Sequence, residues 1–232
     1  MPTHGMILLI GGRSTRAHLP VKKQYFTIDD VPLFIHTFRA VSKFPFAAII
    51  VVAPEGEIDA VREMLAINGH DAPVVAGGAA RCDSVLNGME ALAAYKPDYV
   101  FIHDGVRPLI ATADLENLAD TVITHDAAIL ASPVTDTIKV VTDNKIIDSP
   151  DRTCIYRALT PQAFSYQKYR RALMRYFADD ARSFATDDAA IYSRYEGTVH
   201  IVEGNPYNIK ITREEDIDIY ATLLHMHKET SL

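Results

Sequence analysis

The stretch MILLIGGRSTRAHLPVKKQY, Met6 to Tyr25, passes from a continuous apolar run through a glycine pair into a cluster of basic residues. Met6 to Ile10 has the uniform apolarity of a short parallel strand buried on both faces. Gly11 and Gly12 let the chain leave that strand in a conformation other residues resist. A strand emptying into such a loop lies at the carboxyl edge of a sheet, where open α/β sheets bind their ligands. Loop N–H groups there, with Arg13, Arg16, Lys22 and Lys23, suit a polyphosphate. A basic surface loop is the plainer alternative. Two common phosphate fingerprints are absent: Gly12 begins no G-x-x-x-x-G-K-[ST], and there is no G-x-G-x-x-G. The cations follow the glycines, so a phosphate chain would be held mainly by side chains. That suits an enzyme acting on a nucleotide's phosphates more than one that holds a dinucleotide.

Outward from this loop the chain alternates. Pro32 sits where a helix would begin, and Leu33, Phe34, Phe38 and Val41 recur at helical spacing before Pro45. Strands are expected over Ala47 to Ala53, Ala72 to Ala76, Tyr99 to His103 and Ala127 to Ser132. Helices are expected over Glu57 to Ile67, Ala80 to Tyr95 and Asp114 to His125. This predicts an α/β fold, a Rossmann-like, mostly parallel sheet with helices on both faces. The rhythm breaks in an arm at about 135–158. Ile138 to Val141 and Lys145 to Ile147 flank the polar turn Thr142-Asp143-Asn144, which reads as a projecting hairpin. A two-stranded ribbon is marginal in water by itself, so a second subunit is the expected support, a flap on its own domain the alternative. Beyond it, Tyr166 to Phe177 and Asp187 to Tyr195 read as helices, and Val199 to Glu203 and Asn208 to Ile211 as extended. Thr212 with Glu215 has the spacing of a capping box opening a last helix, with Ile217, Tyr220, Ala221 and Leu224 along one face.

With 232 residues, 48% of them hydrophobic, the chain reads as a single domain, 1–232. A net charge of −7 argues against general nucleic-acid binding and points to small anionic partners. No apolar run has the length of a membrane span and no cleavable apolar leader is evident, so a cytoplasmic protein is expected. Cys82 and Cys154 form no Cys/His cluster and read as free thiols.

Several loops carry polar residues for which a core has no use. Gly77-Gly78-Ala79-Ala80-Arg81 leads to Asp83 and Ser84, and its glycines let backbone approach a flat ring. In His103-Asp104-Gly105-Val106-Arg107-Pro108, Asp104 is placed to hold Mg²⁺ or a ribose hydroxyl, or alternatively to cap the turn and pair with Arg107. Arg152 and Arg157 flank the end of the arm. Asp187 and Asp188 read as a helix N-cap and its first-turn charge. Lys210, between apolar neighbours on an expected strand, has the pattern of a snorkelling edge residue.

Taken together, these segments resemble the 2-C-methyl-D-erythritol 4-phosphate cytidylyltransferases over nearly the whole chain. The matching pieces are the glycine loop ending in Lys23-Gln24-Tyr25, GGAARCDSVLNG from Gly77, HDGVRP from His103, PVTDTIK from Pro133, Asp151-Arg152, LTPQAF from Leu159, ATDD from Ala185 and EGNPYNIKIT from Glu203. The resemblance implies transfer of CMP from CTP to an alcohol phosphate, with a divalent cation such as Mg²⁺. By motif position, Arg16, Lys23 and Lys210 would be the catalytic cations. Gly11, Gly12, Ser14, Gly78, Ala79, Arg81 and Ser84 would hold the nucleotide, with Asp104 near ribose, metal and acceptor. Arg107, Thr137, Arg152 and Thr160 would serve the substrate, Thr137 and Arg152 holding the acceptor from a homodimer partner's arm and Thr160, with Arg81, as a polar support of the pocket. The family's loop usually reads G-x-G-x-R, whereas here it is Gly12-Arg13-Ser14-Thr15-Arg16; a serine at positive φ would cost roughly 1 kcal/mol. Val106 and Tyr207 lean towards the related ribitol phosphate enzymes, while DSVLNG, LTPQAF and TDDA fit the methylerythritol branch. A weakened nucleotide-binding relative with a regulatory role rests on the altered loop alone. A nicotinamide oxidoreductase lacks its glycine pattern and its acidic residue after the second strand.

Overall fold

A computed structural model of the chain describes residues 1–12, 22–180 and 185–229, the side chains of 225–229 excepted. In chain order the elements are β1 (His4–Leu9), β2 (Thr27–Ile28), β3 (Val31–Pro32), α1 (Leu33–Val41), β4 (Ala48–Ala53), α2 (Ile58–Ile67), β5 (Val74–Ala76), α3 (Arg81–Leu92) and β6 (Tyr99–Asp104). They continue with α4 (Thr112–His125), β7 (Ala127–Pro133), β8 (Val140–Thr142), β9 (Lys145–Asp148), β10 (Tyr156–Ser165), α5 (Tyr166–Ala178), α6 (Asp188–Tyr195), β11 (His200–Glu203) and α7 (Glu214–Glu229). No described helix is long and apolar enough to cross a membrane.

Seven strands form one sheet in the order β11-β7-β10-β6-β1-β4-β5. Side chains alternate across a strand, and β1 shows the consequence. Ile7 packs with Val85, Met89 and Leu92 of α3, in a layer completed by α5 and α6. Met6 joins Leu115, Leu118 and Val122 of α4, and Leu8 joins Phe34, Phe38, Val61 and Leu65 of α1 and α2. Both faces are therefore covered, which is why the strands read as continuous apolar runs. The register sets Leu9 beside Asp104 and Val52, with Ala53 beside Ala76, so the loops leaving β1, β5 and β6 emerge at one edge.

Three local expectations change. β10 is an unexpected strand, antiparallel to both β6 and β7. Pro161 inside it argues against a central strand, and the ladder accommodates the segment with a register shift between Ala158 and Gln162. Residues 208–211 form no strand: Asn208 N–H donates to the Asn205 carbonyl and Ile209 N–H to that of Tyr207. The last helix begins at Glu214, and its cap is Asp216, whose Oδ2 accepts from the N–H groups of Thr212 (2.7 Å) and Arg213 (2.8 Å). Asp216 does the work expected of Glu215 because it falls at the third helical position, three residues after Arg213. Ile217 and Tyr220 are buried as expected, against Ile28, Leu33, Val106 and Ile211.

The arm projects as a ribbon. β8 and β9 pair antiparallel around Asp143 and Asn144, both at positive φ (50° and 60°), as a two-residue hairpin turn requires. Its apolar side chains stay exposed, Ile146 at 64% and Ile147 at 62%.

Candidate active site

At the carboxyl edge a cleft of about 280 Å³ opens between the loops after β1, β5 and β6. Its walls include Gly11, Gly12 and Lys23 on one side and Gly78, Ala79, Arg81 and Ser84 on the other, with Asp104 and Lys210 also lining it. The Gly78 wall is built by close packing onto the start of α3. Asp83 Oδ2 accepts from Ala80 N–H (2.8 Å), and Ser84 Oγ accepts from Gly78 N–H (3.0 Å) while donating to the Ala80 carbonyl (3.1 Å). A Cβ at Gly78 would fall 2.3 Å from that of Asp83, so only glycine allows this fold of the loop.

Asp104 is the electrostatic centre. Its Oδ2 lies 2.9 Å from Lys210 Nζ and 3.3 Å from Arg107 Nε. Burial alone would raise its carboxyl, but Lys210 foremost, then Arg81 and Arg107, hold it well below the usual carboxylate range. Arg81 is held from behind: Nη1 lies 2.6 Å from Oδ2 of fully buried Asp188, whose Oδ1 accepts from the Tyr169 hydroxyl at 2.6 Å. Burial works to lower the guanidinium, yet Asp188, then Asp104 and Tyr169, keep it above its ordinary value. The cleft thus presents Lys210, Arg81 and Arg107 as fixed cations around one carboxylate. Fixed cations so arranged can stabilise charge developing on phosphate oxygens.

Behind Asp104 the turn is over-determined. His103 is fully buried, and burial pushes its imidazole down to about 4, against a smaller opposing pull from Asp104. Its Nε2 bonds the Arg107 carbonyl (3.1 Å) and its Nδ1 the Thr160 hydroxyl (2.9 Å). Thr37 Oγ1 donates to the Gly105 carbonyl (2.9 Å), and a Cβ on Gly105 would meet Ile10 Cγ2 at 2.4 Å.

The chain matches the family description 2-C-methyl-D-erythritol 4-phosphate cytidylyltransferase over residues 5–225. The enzyme of that name from Syntrophotalea carbinolica is 38% identical over 224 residues, covering 94% of this chain and 95% of that protein. One from Lachnoclostridium phytofermentans is 36% identical, covering 96% and 97%. This chain belongs to the 2-C-methyl-D-erythritol 4-phosphate cytidylyltransferase family. Among solved structures, the 4-diphosphocytidyl-2C-methyl-D-erythritol synthase from Anaerococcus prevotii superimposes with a TM-score of 0.81 at 25% identity, covering 97% of this chain and 99% of that one.

The sequence-derived site of this cytidylyltransferase-family chain divides into four groups. Gly11, Gly12, Lys23, Gly78, Ala79, Arg81, Ser84, Asp104 and Lys210 meet at the cleft. Arg107 and Thr160 lie behind it, 9% and 6% exposed, with their polar groups turned to the protein. Thr137 and Arg152 are exposed on the arm, and Arg152 Nη1 donates to the Thr135 carbonyl at 2.7 Å. Arg16 and Ser14 lie outside the described residues. Lys210 is no snorkelling edge residue; it leaves an irregular segment to meet Asp104. Asp187 is the N-cap, its Oδ1 accepting from Ala190 N–H (3.0 Å), and Asp188 is the first-turn charge as expected, but it is also the buried anchor of Arg81. Sequence reasoning missed His103, Asn208, Asp188 and Gln162 as structural parts of the site. Gln162 ties the start of α6 to β10, donating to Asp187 Oδ2 (2.9 Å) and accepting from Ala189 N–H (2.9 Å). All four fall inside the quoted motifs, which mark their positions but not that they act through other residues.

Proposed function

We propose that the protein transfers CMP from CTP to 2-C-methyl-D-erythritol 4-phosphate and releases pyrophosphate. The observation that carries the reading is the cleft that Lys23, Arg81, Asp104 and Lys210 line together, in a chain that belongs to this family. An oxygen of the acceptor phosphate attacks the α-phosphorus of CTP in line, a P–O bond forms, and the bond to the β-phosphate oxygen breaks with its electron pair on pyrophosphate. Lys23 and Lys210 balance charge on the equatorial and leaving oxygens, and the Gly78 to Ser84 wall takes the base. Arg16 joins them in this reading, as does Ser14 as a loop ligand.

The donor set fits a Mg²⁺ that is carried chiefly by phosphate. Among the described residues no three His, Cys, Asp or Glu side chains cluster, and Asp104 is the carboxylate lining the cleft. Mg²⁺ keeps several waters and needs only one or two carboxylates beside substrate phosphates. When bound it would neutralise phosphate charge, with Asp104 holding it from the protein side. Arg107 and Thr160 support this carboxylate rather than the acceptor.

The acceptor's other contacts come from a second subunit in this reading. The arm's exposed apolar side chains support a homodimer through the arm, which would bring Thr137 and Arg152 to a neighbour's cleft. The reading is tested by steady-state pyrophosphate release from CTP. Lys210→Ala should lower kcat roughly 100-fold or more while shifting KM for the acceptor less, because its work is on developing charge. A normal kcat with only a raised CTP KM would show a ground-state binding residue instead.

A further inference from the structure

We propose that Thr160 is a positioning residue that sets the spacing of the Asp104–Lys210 pair from both of its sides. Family resemblance made Thr160 a polar support of the substrate pocket, and its hydroxyl faces the protein. Oγ1 accepts from the main-chain N–H of Asp104 at 3.1 Å and lies 2.9 Å from His103 Nδ1. The direction of that second bond is fixed by its neighbours. The Arg107 carbonyl can only accept, so Nε2 carries the imidazole proton towards it, and Nδ1 of the neutral ring is an acceptor. An amide N–H can only donate, so the threonine's own proton goes to His103 Nδ1. One hydroxyl thereby fastens the last two residues of β6.

The main chain of Thr160 fastens the opposite side. Its carbonyl accepts from Nδ2 of Asn208, a fully buried side chain two residues before Lys210. Arg107 closes the ring, with Nη1 donating to the Asn208 carbonyl at 2.9 Å and Nε reaching Asp104 Oδ2. The Ile211 N–H donates to the Val106 carbonyl at 3.0 Å, just beyond the ion pair. Asp104 and Lys210, 106 positions apart in sequence, therefore meet because both segments hang on the same residue of β10. β10 also begins at the root of the arm, four residues earlier at Tyr156. A hydroxyl is required for this role and a methyl group is not, which separates serine from valine.

The inference rests on the reading of the cleft as a cytidylyltransferase site, and the experiment separates the two. Thr160→Val keeps the shape and removes the hydroxyl, leaving Asp104 N–H and His103 Nδ1 unpaired. A displacement on the order of 1 Å at the charged pair should lower kcat roughly 10- to 100-fold, with CTP KM much less affected. Thr160→Ser should restore most of the loss. Nitrogen NMR of histidine-labelled wild-type protein should show His103 protonated at Nε2 with a hydrogen-bonded, unprotonated Nδ1, a bond lost in Thr160→Val and kept in Thr160→Ser. If Thr160→Val fails to fold, Thr160→Ser and the wild-type spectrum still decide. A Thr160→Ser enzyme as impaired as a Lys210 variant, a Thr160→Val enzyme with normal kcat, or a proton on His103 Nδ1 would each overturn the proposal. A wild-type protein that releases no pyrophosphate from CTP would instead defeat the reading of the site, and the spectrum would still report where the hydroxyl proton lies.

Discussion

Asp104 and His103 show how one strand end serves two ends: the carboxylate faces the cleft, and the imidazole locks the turn beneath it. The imidazole's environment has a measurable cost in acid. An unfolded histidine takes up its proton near pH 6.5, whereas native His103 does so only at about 4. Between those values the unfolded chain binds more protons, so stability should be level above pH 6.5 and fall as pH drops towards 4. The full span is worth about 3 kcal/mol for this one group. His4 and His70 are lowered chiefly by burial and add slope of the same sign. Asp104 acts in the other range, stabilising the fold above the ordinary carboxylate pKa. Urea unfolding of metal-free protein at pH 7 and pH 4.5 should therefore show a loss that is visibly smaller in His103→Asn. Equal losses in the two proteins would mean that His103 titrates normally. The polar residues of the HDGVRP turn were plain in the sequence, but not their division of labour. A motif lists neighbours along the chain, while the facing of Arg107 and Thr160 depends on Asn208 and β10, which arrive from elsewhere.

At the scale of elements, most strands and helices were legible because burial on both faces leaves unbroken apolar runs and helices between them keep a 3.6-residue period. β10 was not, since Pro161 and the polar Thr160 and Gln162 interrupt the run; in the structure those polar groups are spent on His103, Asn208 and α6 rather than on water. Residues 208–211 erred the other way, with alternating apolar side chains that mimic a strand while the backbone turns. The arm was read correctly as a hairpin, and its exposed apolar surface is the element's main claim on a partner. Val141 and Ile146 are cross-strand neighbours, both more than half exposed. If the arm joins two subunits, changing both to Asp should shift sedimentation from dimer to monomer and raise the acceptor KM, with the melting temperature of the subunit's own fold little changed. An unchanged sedimentation coefficient would assign the arm to some role other than self-association.

For the whole molecule, one chain carries both a cleft lined by Lys23, Arg81, Asp104 and Lys210 and a projecting arm that exposes Thr137 and Arg152. If Arg152 serves a neighbour's cleft, Arg152→Ala and Lys23→Ala subunits should complement each other. A mixed dimer has one site with both lesions and one with neither. Random exchange at equal concentrations should recover roughly a quarter of wild-type activity, half the dimers being mixed with one intact site each. No recovery after exchange verified with tagged subunits would return Arg152 to its own chain's site. Phosphorus NMR of a single competition follows the transfer itself. Protein, Mg²⁺ and one equivalent of CTP are supplied with equal amounts of 2-C-methyl-D-erythritol 4-phosphate and ribitol 5-phosphate. The methylerythritol phosphomonoester signal should give way to a pair of coupled diphosphate doublets, with one pyrophosphate released per linkage and the ribitol phosphate signal left standing. Preferential loss of the ribitol phosphate signal, or hydrolysis of CTP with no new diphosphate linkage, would contradict the proposed function.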